Sequence, residues 1–295
     1  MKLQLNLNGT SDAFIGYLKS YSRIRESLLL EIDVENRLFV AKTFTEDKAA
    51  IKFSSLSFDD ANISVVSDDG EAERNGNRVK LGILIQLKRL IQIVERFGSD
   101  VNNGVCDFNI DVVYDKLIDK NNVDFVGTEI SFKSNKLKMK MDGFRISEFH
   151  YLSDEIFNNE IFKVDDFCYG ELTSDVITDI IKTSDIIAID SRKDALVFYV
   201  ENKTLYVQDS VLVKGTQPYF TLKLAELDNE PNYPIRITVS REKFIKMLDK
   251  TNENLKVILG HRMSKNGEYV VDRILFSSLD SPSRVVVAAL QGQEY

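Results

Sequence analysis

A chain of 295 residues with 43% hydrophobic and 28% charged side chains, 14 glycines and 4 prolines has an ordinary globular make-up, which excludes collagen-like, low-complexity and largely disordered architectures. Its length exceeds what one hydrophobic core usually serves, so two domains are expected. A formal net charge of −8 argues against wrapping nucleic acid by bulk attraction, and two cysteines, Cys106 and Cys168, are too few for a disulfide framework or a zinc cage, which points to a reducing, cytoplasmic setting.

Met1 to Asn8 alternates apolar and polar residues like a strand, where a signal peptide would be continuously apolar. From Ser11 to Ile24 the apolar residues fall at helical spacing behind a capping Thr-Ser pair. Ala13, Phe14, Tyr17, Leu18 and Tyr21 share one side of that helix, and Lys19 and Arg23 point away. Val34-Glu35-Asn36-Arg37-Leu38-Phe39-Val40 reads as two strands joined by an Asn-containing turn. A second helix is expected over Ile83 to Phe97, ended by Gly98, with Ile83, Leu84, Leu87, Leu90, Ile91 and Val94 buried and Lys88, Arg89, Gln92 and Arg96 opposite. Val105 to Tyr114 and Val123 to Met141 are β-rich, and a stretch rich in acids and aromatics, 143–170, follows as a linker.

The order then repeats. Ser174 to Ile187 is helical, Val200-Glu201-Asn202-Lys203-Thr204-Leu205-Tyr206-Val207 echoes the earlier turn, and Ser240 to Lys250 is a helix capped by Ser240. In that last helix Phe244, Ile245 and Leu248 face inward and Lys243, Lys246 and Lys250 outward; strands over Leu255 to His261 and Tyr269 to Leu290 close the chain. Three of the four helices are net positive in a chain whose overall balance is negative. The third departs, since Asp175, Asp179 and Asp185 outnumber Lys182. No segment approaches the roughly eighteen apolar residues of a membrane span, so no membrane partner is expected.

This order resembles that of the DNA sliding clamps, the polymerase processivity rings. The likeness is carried by Leu172 to Thr183, Ile186 to Val207 with its Val-Glu-Asn-Lys turn, Phe220 to Leu224, Ile235 to Leu248 and Arg284-Val285-Val286-Val287-Ala288-Ala289-Leu290, and more loosely by Asp12 to Leu18, Leu38 to Phe44 and Leu81 to Phe97. It is greatest to the clamps of T-even bacteriophages and to proliferating cell nuclear antigen. The resemblance implies an α+β fold of two tandem clamp domains, 1–142 and 171–295, joined by a connector over 143–170. Antiparallel sheets would lie outside, and two helices per domain would line a ring. It implies no catalytic residues, no metal and no cofactor.

The partners it implies are encircled double-stranded DNA, a DNA polymerase, a clamp loader and, as in phage relatives, transcription factors. On this reading Lys19, Arg23, Lys88, Arg89, Arg96, Lys182, Lys243, Lys246 and Lys250 touch phosphates without reading sequence. Family order sets the edge around Lys136, Lys138 and Lys140 against Tyr219, Thr221 and Lys223 of the next subunit, a heterologous contact of the kind that closes cyclic rings. Phe149, Tyr151, Leu152 and Ile156, with Val286 and Ala288, would hold a partner peptide. The last strand lacks the tyrosine that lines this pocket in some relatives.

Ring size follows from helix packing. Two chains would supply eight helices on a circle about 23 Å across, with about 13 Å clear, for helices about 9 Å apart and about 10 Å thick. A duplex whose major groove alone is about 12 Å wide cannot pass. Three chains give a circle of about 34 Å and about 24 Å clear, so a homotrimer is expected. Two other readings stay open: a clamp-like or virion-associated scaffold that does not encircle DNA, and a metal-dependent nuclease built on Asp107, Asn109 and Asp111 along one strand face. His150 and His261 stand alone, and no Walker-type glycine loop is present.

Overall fold

The computed structural model describes residues 2–8, 11–45, 50–68, 81–100, 106–113, 125–133, 137–143, 165–187, 195–209, 220–230, 234–248, 254–263, 270–279 and 284–288. The chain forms two compact units, Met1–Thr43 with Ser54–Ile156, and Phe44–Phe53 with Phe157–Tyr295.

In the first unit the elements run β1 (Lys2–Leu7), α1 (Asp12–Ser22), β2 (Ser27–Asp33), β3 (Leu38–Phe44), β4 (Ala50–Ser57), β5 (Ile63–Asp68), β6 (Leu81–Gln86), α2 (Leu87–Asp100), β7 (Cys106–Val113), β8 (Phe125–Lys133) and β9 (Lys138–Asp142). The sheet order is β3-β2-β6-β8-β7-β1-β5, with β9 also on β8. All described pairings are antiparallel except a short parallel contact that sets Leu81 and Gly82 beside Phe125 and Val126. Strand alternation sends Leu3, Leu5 and Leu7 and, from β2, Leu28, Leu30 and Ile32 into one core with Phe14 and Leu18 of α1 and Leu90 and Val94 of α2. Phe39 stacks on Phe14 with ring centroids 4.9 Å apart. Beneath α1 the buried hydroxyl of Tyr21 donates to the Ala41 carbonyl at 2.9 Å and that of Tyr17 to the Ser54 carbonyl at 3.1 Å, so both tyrosine tips in this apolar layer are satisfied.

The second unit contains β10 (Asp165–Leu172), α3 (Ser174–Ile187), β11 (Ala195–Glu201), β12 (Thr204–Asp209), β13 (Thr221–Glu226), β14 (Arg236–Ser240), α4 (Arg241–Met247), β15 (Leu255–Met263), β16 (Val270–Ser278) and β17 (Arg284–Ala288). One sheet has the order β13-β12-β11-β14, and a second runs β10-β15-β16-β17. Ala50 to Phe53 of β4 pair with β17, which is why that segment groups with this unit.

The two units repeat one plan. β2 lies between β3 and β6 as β11 lies between β12 and β14, and β1-β7-β8-β9 corresponds to β10-β15-β16-β17. Even the contact of Leu7 with Ile63 has a counterpart in the isolated bridge between Gly170 and Leu227.

Several local expectations are corrected. Leu81 to Gln86 is a strand and not the first turn of the second helix, because a run of five buried residues there fits either period and sheet pairing with β2 decides it. Gly98 does not end α2, which continues to Asp100. Ala13 is exposed on α1, and Ile15 is buried in its place. The two Val-Glu-Asn copies also fold differently. Asn202 and Lys203, at φ 50° and 59°, form a two-residue primed-type turn between paired Glu201 and Thr204. Val34 to Arg37 instead form a four-residue turn between paired Asp33 and Leu38, in which the Asp33 carboxylate accepts from the Asn36 backbone N–H at 3.0 Å. The sequence match is thus slipped by one residue against the hairpin centres.

Candidate nucleic-acid interface

Side-chain hydroxyls begin α1 and α4, two of the helices that carry predicted cations. Ser11 Oγ accepts from the Phe14 N–H at 3.0 Å and Ser240 Oγ from the Lys243 N–H at 3.5 Å. In each unit a strand runs straight into the second helix, β6 into α2 and β14 into α4, so the sheet sets where that helix starts and which way its polar face turns.

α1 and α2 lie side by side. Burial of Phe14, Leu18 and Tyr21 on one helix and of Leu87, Leu90 and Val94 on the other leaves Lys19, Arg23, Lys88, Arg89 and Arg96 exposed. Arg89 Nη2 donates to the Lys140 carbonyl at 3.3 Å, tying α2 to β9. Lys19 Nζ and Glu95 Oε1 are 2.7 Å apart, bridging the exposed sides of the two helices. An open cleft of about 710 Å³ lies between them.

α3 and α4 also pack together. α3 exposes Asp175, Asp179 and Lys182, while Lys243 and Lys246 of α4 are half-buried. Lys246 pairs with Glu242 one turn earlier, and that ammonium holds the Glu242 carboxyl below the usual carboxylate range. Lys250 lies outside the described residues. The arrangement thus brings five predicted cations onto the helices of the first unit and three onto those of the second. Glu95 and Glu242 were not among the expected site residues. Only the second signal was present in the sequence: Glu242 precedes Lys246 by one helical turn and shares its face, whereas the cation that Glu95 holds, Lys19, belongs to the other helix.

The other expected sites fall as follows. β9 pairs with β8 alone and β13 with β12 alone among the described strands, so Lys138 and Lys140, and Thr221 and Lys223, lie on edge strands. Lys140 pairs with Glu129 at 2.6 Å, and Lys223 pairs with Glu226. Lys136 and Tyr219 lie outside the described residues, as do Phe149, Tyr151, Leu152 and Ile156. Val286 stands in β17 between Leu275 and Ile51, and Ala288 opposite Arg273. Asp107, Asn109 and Asp111 of β7 pair in register with Asn6, Gln4 and Lys2 of β1 and with Lys133, Ser131 and Glu129 of β8. No group of three metal-ligating side chains occurs among the described residues, His150 lies outside them, and His261 stands in β15 opposite Asp165 and Asp272.

No protein-family model matches the sequence, and no curated protein matches it significantly. Solved structures do. Proliferating cell nuclear antigen (PCNA) of A. fulgidus, bound to the C-terminal region of FEN-1, superposes with a TM-score of 0.61 at 10% identity over 99% of both chains. The PCNA of Entamoeba histolytica does so with a TM-score of 0.59 at 12% identity over 98% of both. The chain has the sliding-clamp fold. The clamp likeness extends to the Helicobacter pylori beta clamp bound to a DNA ligase peptide, with a TM-score of 0.61 at 10% identity over 98% of this chain and 66% of that one. In the sliding-clamp frame the duplicated plan of the two units is the fold's own repeat, and the sequence identities are low enough that only the architecture transfers.

Proposed function

We propose that this protein is a DNA sliding clamp, a homotrimeric ring that encircles duplex DNA and tethers the replicative polymerase. The observation that carries the reading is the concentration of cations on the paired helices of a clamp fold whose overall charge is −8. Lysines and arginines on smooth helix faces contact phosphates and not base edges, so binding is non-specific and falls with salt. A ring linked topologically to its duplex needs only weak contacts of this kind, and they permit sliding. Three copies would join through edge strands β9 and β13, each with a neighbour on one side only among the described strands and so open to strand addition. A clamp loader would open the ring. Clients would dock peptide tails beside β17 and the 143–170 segment; the relatives named above are bound to a FEN-1 region and a DNA ligase peptide. The protein's part in replication is then positional, with the chemistry left to its clients.

The exposed Asp175 and Asp179 of α3 favour a second reading, a clamp-like scaffold that does not enclose DNA. Light scattering after size exclusion, together with long-product synthesis by a cognate polymerase and loader, separates the two. A species of three subunits that stimulates synthesis on a primed circular template supports the clamp. A monomer, or a trimer that is lost from neither linear nor circular DNA because it never binds either, supports the scaffold.

A further inference from the structure

The cleft between α1 and α2 has the donors that bind phosphate. Lys19 and Ser22 line it from α1, Lys88 and Gln92 from α2, and Gln86 from the strand-to-helix junction: two ammoniums, a hydroxyl and two carboxamides, beside the carboxylates of Glu26 and Glu95. The two ammoniums are not equivalent. Among the described residues Lys88 has no carboxylate partner, whereas Lys19 already holds the Glu95 carboxylate at 2.7 Å. Lys19 and Glu95 remain 53% and 44% exposed, so their pair is a solvated one that contributes little to stability and can be exchanged. A carboxylate oxygen on an ammonium is the same contact, in sign and geometry, that a phosphate oxygen would make.

We propose that this cleft is the seat for one backbone phosphate of duplex DNA, and that Glu95 occupies Lys19 in the empty protein and yields it when the phosphate enters. The proposal rests on the reading of the protein as a DNA-encircling clamp. Lys88 is the standing contact and Lys19 the exchanged one, so the free energy gained at Lys19 is only the difference between two similar ion pairs. Glu95 therefore acts as an affinity brake that keeps the contact weak enough to slide. Lys246 is also paired with a carboxylate, Glu242, though within one turn of α4 and not across two helices.

The test is fluorescence anisotropy of a short labelled blunt-ended duplex at several salt concentrations, with the intact protein and the variants K88A, E95Q, K19A, K19A/E95Q and D12N. One phosphate contact is worth about threefold in affinity between 50 and 200 mM salt and about one unit of salt slope. K88A should weaken binding by at least about threefold, and E95Q should tighten it by a similar factor and steepen the slope by about one. K19A alone should change little, and K19A/E95Q should lose the gain, giving a non-additive cycle. Asp12 is exposed on the same helix as Lys19, so D12N controls for bulk charge and should not reproduce the effect of E95Q. An unchanged affinity in E95Q, a gain that survives in K19A/E95Q, or an equal gain in D12N overturns the seat. If those outcomes occur while K88A still weakens binding, the clamp reading stands and the seat alone fails. K88A binding as well as the intact protein also overturns the seat alone, and should the intact protein bind no duplex, both fail together.

Discussion

Lys42 and Glu31 are 2.9 Å apart with side chains only 9% and 8% exposed, whereas Lys19 and Glu95 are 2.7 Å apart and about half exposed. The distances are nearly equal, and burial decides the energetics. Screening leaves the helix pair worth under about 1 kcal/mol. Breaking the sheet pair would strand a buried carboxylate, so Lys42→Met should destabilise the protein by about 3–5 kcal/mol, read as a lower urea midpoint, while Glu95→Gln leaves that midpoint nearly in place. Cys168 is a second residue whose surroundings set its chemistry. Buried, with its Sγ 3.9 Å from the Leu259 carbonyl, it has its thiol pushed up to about 11 chiefly by desolvation. In a C106S background it should label slowly with a disulfide reagent at pH 8 and quickly once denaturant opens the fold. Its folded pKa is the higher one, so its contribution to stability is complete below the unfolded value near 9 and declines as pH rises toward about 11.

Elements meet most closely where side chains are smallest. A Cβ added at Gly170 would lie 2.7 Å from the Glu226 carbonyl oxygen and 3.1 Å from Leu227, at the bridge that joins β10 to the end of β13. The obstacle is backbone and cannot swing aside, so Gly170→Ala should cost about 1–3 kcal/mol by thermal or urea unfolding. Nothing about Gly170 in the sequence distinguishes it from a turn glycine, because the strand that crowds it lies more than fifty residues away. The same limit explains the error over Leu81 to Gln86. An apolar run of that length is compatible with helix or strand, and only pairing with β2 selects the strand. Caps were legible by contrast: Ser11 and Ser240 begin their helices as expected, since capping is a contact over three residues.

For the molecule as a whole, the sign of charge and its placement work in opposite directions. The balance of −8 opposes non-specific adhesion to nucleic acid, while the α1–α2 and α3–α4 pairs carry exposed and half-buried cations. On the clamp reading, replacing Lys88, Arg89, Lys243 and Lys246 together by alanine should lower duplex affinity by about tenfold or more and flatten the salt slope, with circular dichroism unchanged because these side chains are not in the core. Lys246 should contribute least to that loss, being already neutralised by Glu242. An affinity and slope equal to those of the intact protein would move the contact surface elsewhere.

By itself the sequence determined the helix faces, the caps, the repeated order of elements and the clamp-like plan, because periodicity, capping and turn chemistry act over a few neighbouring residues and are written there twice. It also contained Glu242 at helical spacing from its cation, Lys246. Tertiary structure alone decided that Leu81 to Gln86 is a strand, that the two Val-Glu-Asn turns differ in length, that Gly170 is crowded by a distant carbonyl, and that Lys19 of α1 is held by Glu95 of α2. Each of those depends on which segments pack together, and the free energy of such contacts belongs to pairs of residues that the linear order keeps far apart.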